Sequence, residues 1–114
     1  MFKMKRMFMN RNKEILDNIT RQLMQTLPKD GHAVLYGSQA RGDSHEGSDW
    51  DILILLDQQH VSLKENTAIT YPLVSLGWEM DAEINPIVYT VSEWNKYKGT
   101  PFYDNVLHDG IAIA

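Results

Sequence analysis

Apolar residues first recur along this chain at helical spacing. Ile15, Leu16, Ile19, Leu23, Met24 and Leu27 predict an amphipathic helix over residues 10–27. Asn10 or Asn12 can cap its start, and Pro28-Lys29-Asp30-Gly31 breaks it. The pattern then shortens. Ala33-Val34-Leu35-Tyr36 reads as a buried strand that stops at Gly37-Ser38, and Gln39-Ala40-Arg41 can form one or two helical turns. Residues 42–48 are polar, hold two glycines and read as a loop.

Residues 49–56 make the clearest strand, with Ile52, Leu53, Ile54, Leu55 and Leu56 continuous. An unbroken apolar run implies burial on both faces, hence a central strand with helices packed against it. Ser62 or Ser75 can cap helical stretches, and Ile69, Leu73, Val74 and Leu76 predict a weaker helix over 63–77. Pro72 interrupts that helix and Gly77 ends it. Residues 81–89 read as a third strand, in which Pro86 limits ladder bonding. A helix starts at Ser92-Glu93-Trp94, another covers 103–108, and Ile111–Ile113 is a final edge strand. The fold class expected is a single α/β domain.

Composition bounds what such a domain can do. The chain has 114 residues, 43% of them hydrophobic, which suffices for one core. Cysteine is absent, excluding disulfides, thiolate zinc sites and cysteine nucleophiles. His32, His45, His60 and His108 show no metal-ligand spacing, and Trp50, Trp78 and Trp94 read as core or interface aromatics. No apolar run approaches the ~20 residues that span a bilayer, and no signal-peptide pattern is present, so a cytoplasmic protein is expected.

The net charge is −4, but it is unevenly placed. Lys3, Lys5, Arg6, Arg11 and Lys13 crowd the first thirteen residues, which hold no acid. Residues 1–9 are therefore expected to be a disordered basic leader before a domain at 10–114, with contact to a polyanion as its alternative use. The body is strongly acidic, which argues against a general nucleic-acid coat.

Part of that acidity is chemically patterned. A strand runs into Gly37-Ser38 and then a helix start, where glycine permits close approach and free amides attract phosphate oxygens. Asp49 and Asp51 lie two apart on a strand, so both carboxylates share one face and Trp50 takes the other. Paired carboxylates repel unless a cation neutralises them, and oxygen ligands of this kind suit Mg²⁺ or Mn²⁺. An anion cradle joined to an acidic metal pair, with Arg41, Gly42 and Ser48 between, points to transfer chemistry on a nucleoside triphosphate.

Residues Gly37-Ser38-Gln39-Ala40-Arg41-Gly42 through Ser48-Asp49-Trp50-Asp51 resemble the signature of the polymerase-β-like nucleotidyltransferase superfamily, and the short length resembles its minimal nucleotidyltransferase branch. The resemblance implies a small mixed β-sheet flanked by helices, the polymerase-β palm-like fold. It also implies two Mg²⁺ or Mn²⁺ ions and transfer of a nucleoside monophosphate from an NTP, ATP in the first instance, to a hydroxyl. Carried over by position, Gly37, Ser38, Arg41 and Ser48 would bind nucleotide, and Asp49 and Asp51 would ligate both metals. Arg41 would either order the loop and offset phosphate charge or form a buried ion pair. A third carboxylate is expected on the next strand. The usual position falls near Asn85, and Asp81 lies too early, so Glu83 is the candidate catalytic and metal residue.

At this size no separate acceptor-binding domain fits, so a small helical partner protein or a second copy is expected. The minimal branch often serves as the antitoxin of a toxin–antitoxin pair, some members modifying the toxin with AMP. The competing expectation is a catalytically impaired module of the same fold that acts by binding a partner. An unrelated Asp-x-Asp glycosyltransferase fails on length.

Overall fold

The structure is a computed structural model that describes residues 2–45 and 47–114, with side chains from residue 10 onward. The leader's Met1 and the loop's Glu46 lie outside the described residues, as do the side chains of Lys3, Lys5 and Arg6, on which the polyanion-contact expectation rested. Helix α1 (Phe2–Thr26) begins well before residue 10, so from Phe2 the expected leader is helical. That stretch has neither glycine nor proline, and its Met, Lys and Arg residues favour helix.

The chain continues through β1 (Gly31–Tyr36), the short α2 (Ser38–Arg41), β2 (Trp50–Leu56), α3 (Leu63–Met80) and β3 (Ile84–Thr90). Helices α4 (Val91–Asn95) and α5 (Pro101–Asp109) follow, then β4 (Ile111–Ala112). The strands form one mixed sheet in the order β3-β2-β1-β4. Strand β1 is antiparallel to β2 and β4, whereas β2 and β3 run parallel. The central strand is thus β2 or its neighbour β1, and Pro86 falls on an edge strand, where its missing donor is tolerated.

Period-two alternation sends β2 to two separate cores. Trp50, Ile52, Ile54 and Leu56 pack with Ile15, Ile19 and Leu23 of α1 and Ile69 and Leu73 of α3. Leu53 packs the other way, against Trp94 of α4 and Val106 of α5, with Leu55, Tyr89, Phe102 and Tyr103 around it. The unbroken apolar run therefore meant what it implied: helices cover both faces of β2.

Strand β3 starts at Ile84 rather than at 81, because α3 runs on to Met80 and Asp81 caps it. Three further helix boundaries differ from expectation. Helix α3 runs past Pro72 and Gly77 to Met80, because Ile69, Leu73 and Gly77 keep its inner face buried. Gly77 serves as a close-approach point instead: a Cβ there would lie 2.5 Å from the Ala82 carbonyl oxygen. The helix stops at Asp81, in the left-handed region (φ 51°), and Arg11 Nη2 donates to the Met80 and Asp81 carbonyls at 2.7 and 2.8 Å. Helix α4 starts at Val91 rather than Ser92. Thr90 and Glu93 form a capping box, with Glu93 N–H donating to Thr90 Oγ1 (3.0 Å) and Thr90 N–H to Glu93 Oε1 (2.9 Å). Helix α5 begins at Pro101 rather than Tyr103, capped by Thr100.

Candidate active site

The face of the sheet that carries Leu53 and Leu55 is covered by α4 and α5 only at one end. At the other end the same face presents Asp51 and, one pleat earlier, Asp49. Strand β3 lies beside β2 in parallel register, with Asp51 opposite Asn85 and Trp50 opposite Ile84. Glu83 is therefore level with Asp49, and its carbonyl accepts the Trp50 N–H at 2.8 Å. In-register neighbours project to the same side, so four side chains form a square: Asp51 on β2 with Asp49 just before it, and Asn85 on β3 with Glu83 just before it.

The square is internally bonded. Asn85 Nδ2 donates to Asp49 Oδ2 at 3.3 Å. Partial burial pushes the Asp51 carboxyl above its ordinary range, Asn85 opposes that by hydrogen bonding, and Asp49 adds like-charge repulsion. Glu83 is exposed, and a hydrogen bond and repulsion from Asp49 push its carboxyl up as well. Asp81, the helix cap of α3, is not on this face. Among the described residues, no three His, Asp or Glu side chains converge tightly enough by themselves to enclose a metal ion. The donor chemistry nevertheless suits a hard cation: two carboxylates on one pleat, a third touching the first, and an amide between them.

Gly37 is tied to the square by space. It follows β1 with φ 79° and ψ −161°, and a Cβ would lie 2.5 Å from Asp51 Oδ2. Only glycine lets the turn close against the carboxylate. Ser38 then opens α2, whose N-terminus carries no side-chain cap, so its first amides have no acceptor within the helix. Tyr36, opposite Asp51 on β1, has its hydroxyl pKa raised by burial and by that carboxylate.

Arg41 and Ser48 hold the loop between these parts. Arg41 Nε pairs with Asp43 at 3.1 Å and Nη1 with Asp109 at 3.4 Å. The pairing is real but exposed, the Arg41 side chain being 44% accessible, so it is not a buried ion pair. It also draws the Asp51 pKa down slightly against the effect of burial. Ser48 Oγ accepts the His45 N–H at 2.9 Å, closing the loop just before Asp49.

One residue was passed over in the sequence. Gln39 Nε2 donates to the Ser48 carbonyl at 3.2 Å, and its Oε1 accepts from Asn12 Nδ2 at 3.4 Å. It thereby fastens the Gly37-Ser38 turn to both α1 and the loop. Nothing in its local pattern distinguishes it, since both partners are remote or backbone. A groove of about 840 Å³ opens on the α1–α3 side of the same sheet end, bordered by Arg11, Gln39, Ser48, Trp78, Glu83 and Asn85. Two corners of the square, Glu83 and Asn85, border this groove, whereas Asp49 and Asp51 do not.

The Gly37-Ser38 turn and the Asp49 and Asp51 carboxylates thus lie together at one end of the sheet. Residues 16–104 match the nucleotidyltransferase domain family, and the chain belongs to it. It is a nucleotidyltransferase. MJ0141 of Methanocaldococcus jannaschii, provisionally named a protein adenylyltransferase, is 35% identical over 92 residues, which is 79% of this chain and 87% of that one. A solved toxin–antitoxin structure with AMP-PNP shares the fold with a TM-score of 0.60 at 20% identity, over 87% of this chain and 72% of that one. A complex of tri-AMPylated Shewanella oneidensis HEPN toxin with MNT antitoxin superposes with a TM-score of 0.58 at 16% identity, over 90% and 71%. The resemblance read from the signature and the mixed α/β fold class are both borne out. Among the described residues, no helix is long and apolar enough to cross a membrane.

Proposed function

We propose that this protein transfers a nucleoside monophosphate, AMP in the first instance, from an NTP to a hydroxyl on a partner protein, in a reaction dependent on Mg²⁺ or Mn²⁺. The observation that carries the reading is the packing of Gly37 against Asp51, which sets the anion-facing turn directly beside the carboxylates. Asp49 and Asp51 would hold the ions. When bound, two such cations would activate the attacking hydroxyl and stabilise the departing pyrophosphate.

The protein's own residues position and neutralise. The amides at Gly37 and Ser38 hold the triphosphate, and Arg41 and Ser48 keep the loop in the shape that presents them. Glu83 stands at the exposed rim, where it takes the proton from the acceptor hydroxyl. The acidic surface disfavours a polynucleotide acceptor, and a relative named for protein adenylylation favours a protein one. Structural neighbours described as toxin–antitoxin complexes support an antitoxin role, with a small helical partner rather than a second copy bringing the acceptor. An NTP substrate and the absence of cysteine fit work in the cytoplasm.

The test is incubation of the protein with Mg²⁺, ATP labelled at the α-phosphate and the product of the neighbouring gene. Label on the partner with stoichiometric pyrophosphate release is expected, and neither from D49N or D51N. Partner neutralisation that survives in both variants would mean contact rather than transfer. No label from any of the four triphosphates overturns the reading.

A further inference from the structure

Helix α2 is one turn long, and none of its four residues is buried. A single turn is not stable alone, so contacts from outside must set its place beside Asp51. Ala40 packs partly against the core on the α1 side. Two longer side chains tie the turn elsewhere: Gln39 reaches Asn12 and the Ser48 carbonyl, and Arg41 reaches Asp43 and Asp109. Asp43 is a loop residue two positions on, with a side chain 62% accessible. Asp109 is different: it is 68 residues away, its side chain is only 14% accessible, and it is the last residue of α5.

That end of α5 is fixed to the sheet. At Gly110, the next residue, a Cβ would lie 2.7 Å from Val34 Cγ1, and Ile111 and Ala112 then pair with Leu35 and Val34 of β1. Strand β1 is also the one that leads into Gly37. Helix energetics disfavour an acid at this position, because the C-terminal end of a helix carries partial negative charge. Asp109 is compensated by side chains instead, with Oδ1 2.8 Å from His108 Nδ1 and Oδ2 3.4 Å from Arg41 Nη1. Those hydrogen bonds, His108's first, hold its carboxyl below the ordinary range.

We infer that Asp109 is a positioning residue for nucleotide binding, acting through Arg41. The carboxylate is a post fixed to β1, and the guanidinium is the strap that draws the 38–41 turn to it. So held, Arg41 keeps Gly37-Ser38 against Asp51 and its own charge within range of that carboxylate. Exposed ion pairs add little to global stability, so the effect belongs to affinity. With Asp109 neutral, Arg41 keeps only the loop carboxylate of Asp43, and the nucleotide must order the turn itself, which weakens binding.

The inference rests on the nucleotidyltransferase reading, and direct binding separates the two. Labelled ATP with Mg²⁺ is followed by equilibrium dialysis for wild type, D109N, D109E, R41Q and the R41Q/D109N pair. D109N is expected to bind ATP about five- to tenfold more weakly, with D109E recovering most of the loss and the urea midpoint near wild type. On the R41Q background D109N should change nothing further, since the two residues act as one unit. Unchanged or tighter binding by D109N overturns the inference, because Asp109 would then be idle or would withhold Arg41 from the triphosphate. A full D109N effect on top of R41Q overturns it as well, being what a general structural role would give. So does wild-type affinity in R41Q, whether or not D109N folds. If the wild type takes up no ATP, the site reading itself falls, whatever Asp109 does.

Discussion

The two faces of β2 are built from the same strand yet solve different problems. Toward α1 and α3, Trp50, Ile52, Ile54 and Leu56 are all buried, from the strand's first residue to its last. Toward α4 and α5 only Leu53 is fully buried, while Asp51 at the near end is half-buried and charged. One face is filled along its whole length, and the other is filled at one end and left open at the other. The filled face supplies rigidity, and the open end holds groups whose mutual repulsion would be intolerable in a core.

This contrast predicts that activity and stability respond to different residues of one strand. The largest effect is expected at the open end: D51N should lower nucleotidyl transfer by about 10³-fold or more, because preorganised charge neutralisation is commonly worth that much. Its urea midpoint should not fall, since a repelled carboxylate is removed. Loss of activity accompanied by unfolding would break the distinction. Next comes the closed end of the same face. L53A removes a fully buried side chain between Trp94 and Val106 and should cost about 2–5 kcal/mol in chemical denaturation. Transfer per folded molecule should stay near wild type.

Smaller effects sharpen the boundary between the regions. G37A places a Cβ against Asp51 Oδ2 in a left-handed backbone, which costs about 1–2 kcal/mol and displaces the carboxylate. A variant that loses stability but keeps full activity would mean the turn is not part of the site. T90A, at the capping box of α4, should cost about 1 kcal/mol with no change in the Michaelis constant for ATP.

The smallest expected effect is in pH dependence. The Asp51 pKa is raised in the folded state, so the native protein binds a proton more readily than the unfolded chain. Stability from this group therefore falls as pH rises from the ordinary carboxylate range through the raised native value, and is level above it. Urea titrations across that window should show a shallower fall in D51N. An unchanged slope would remove Asp51 as its source.

Much of this was legible in the residues. The Gly-Ser turn, the Asp-x-Asp pair and the apolar run after it are local patterns, each set by backbone freedom or by period-two alternation. The boundaries that moved were those where distant atoms decide. Gly77 looks like a helix stop, but packing against Ala82 holds it within α3, and Arg11 on another helix caps the true end at Asp81. The Thr90–Glu93 capping box was present in the sequence and carries the start of α4 one residue before the expected Ser92.

By itself, then, the sequence determined the chemistry available: an anion turn, two carboxylates on one face, no thiol, and an α/β chain around one apolar strand. Such facts follow from residue type and from spacing within a single element. Only the tertiary structure decided which groups meet. Parallel register between β2 and β3 puts Glu83 level with Asp49 and Asn85 level with Asp51, and a one-residue slip would turn both away. Register depends on how α3 crosses between the strands and packs beneath them, which no local pattern encodes. The same register brings the Asn85 amide within 3.3 Å of Asp49 Oδ2, a contact that spacing within one element does not give.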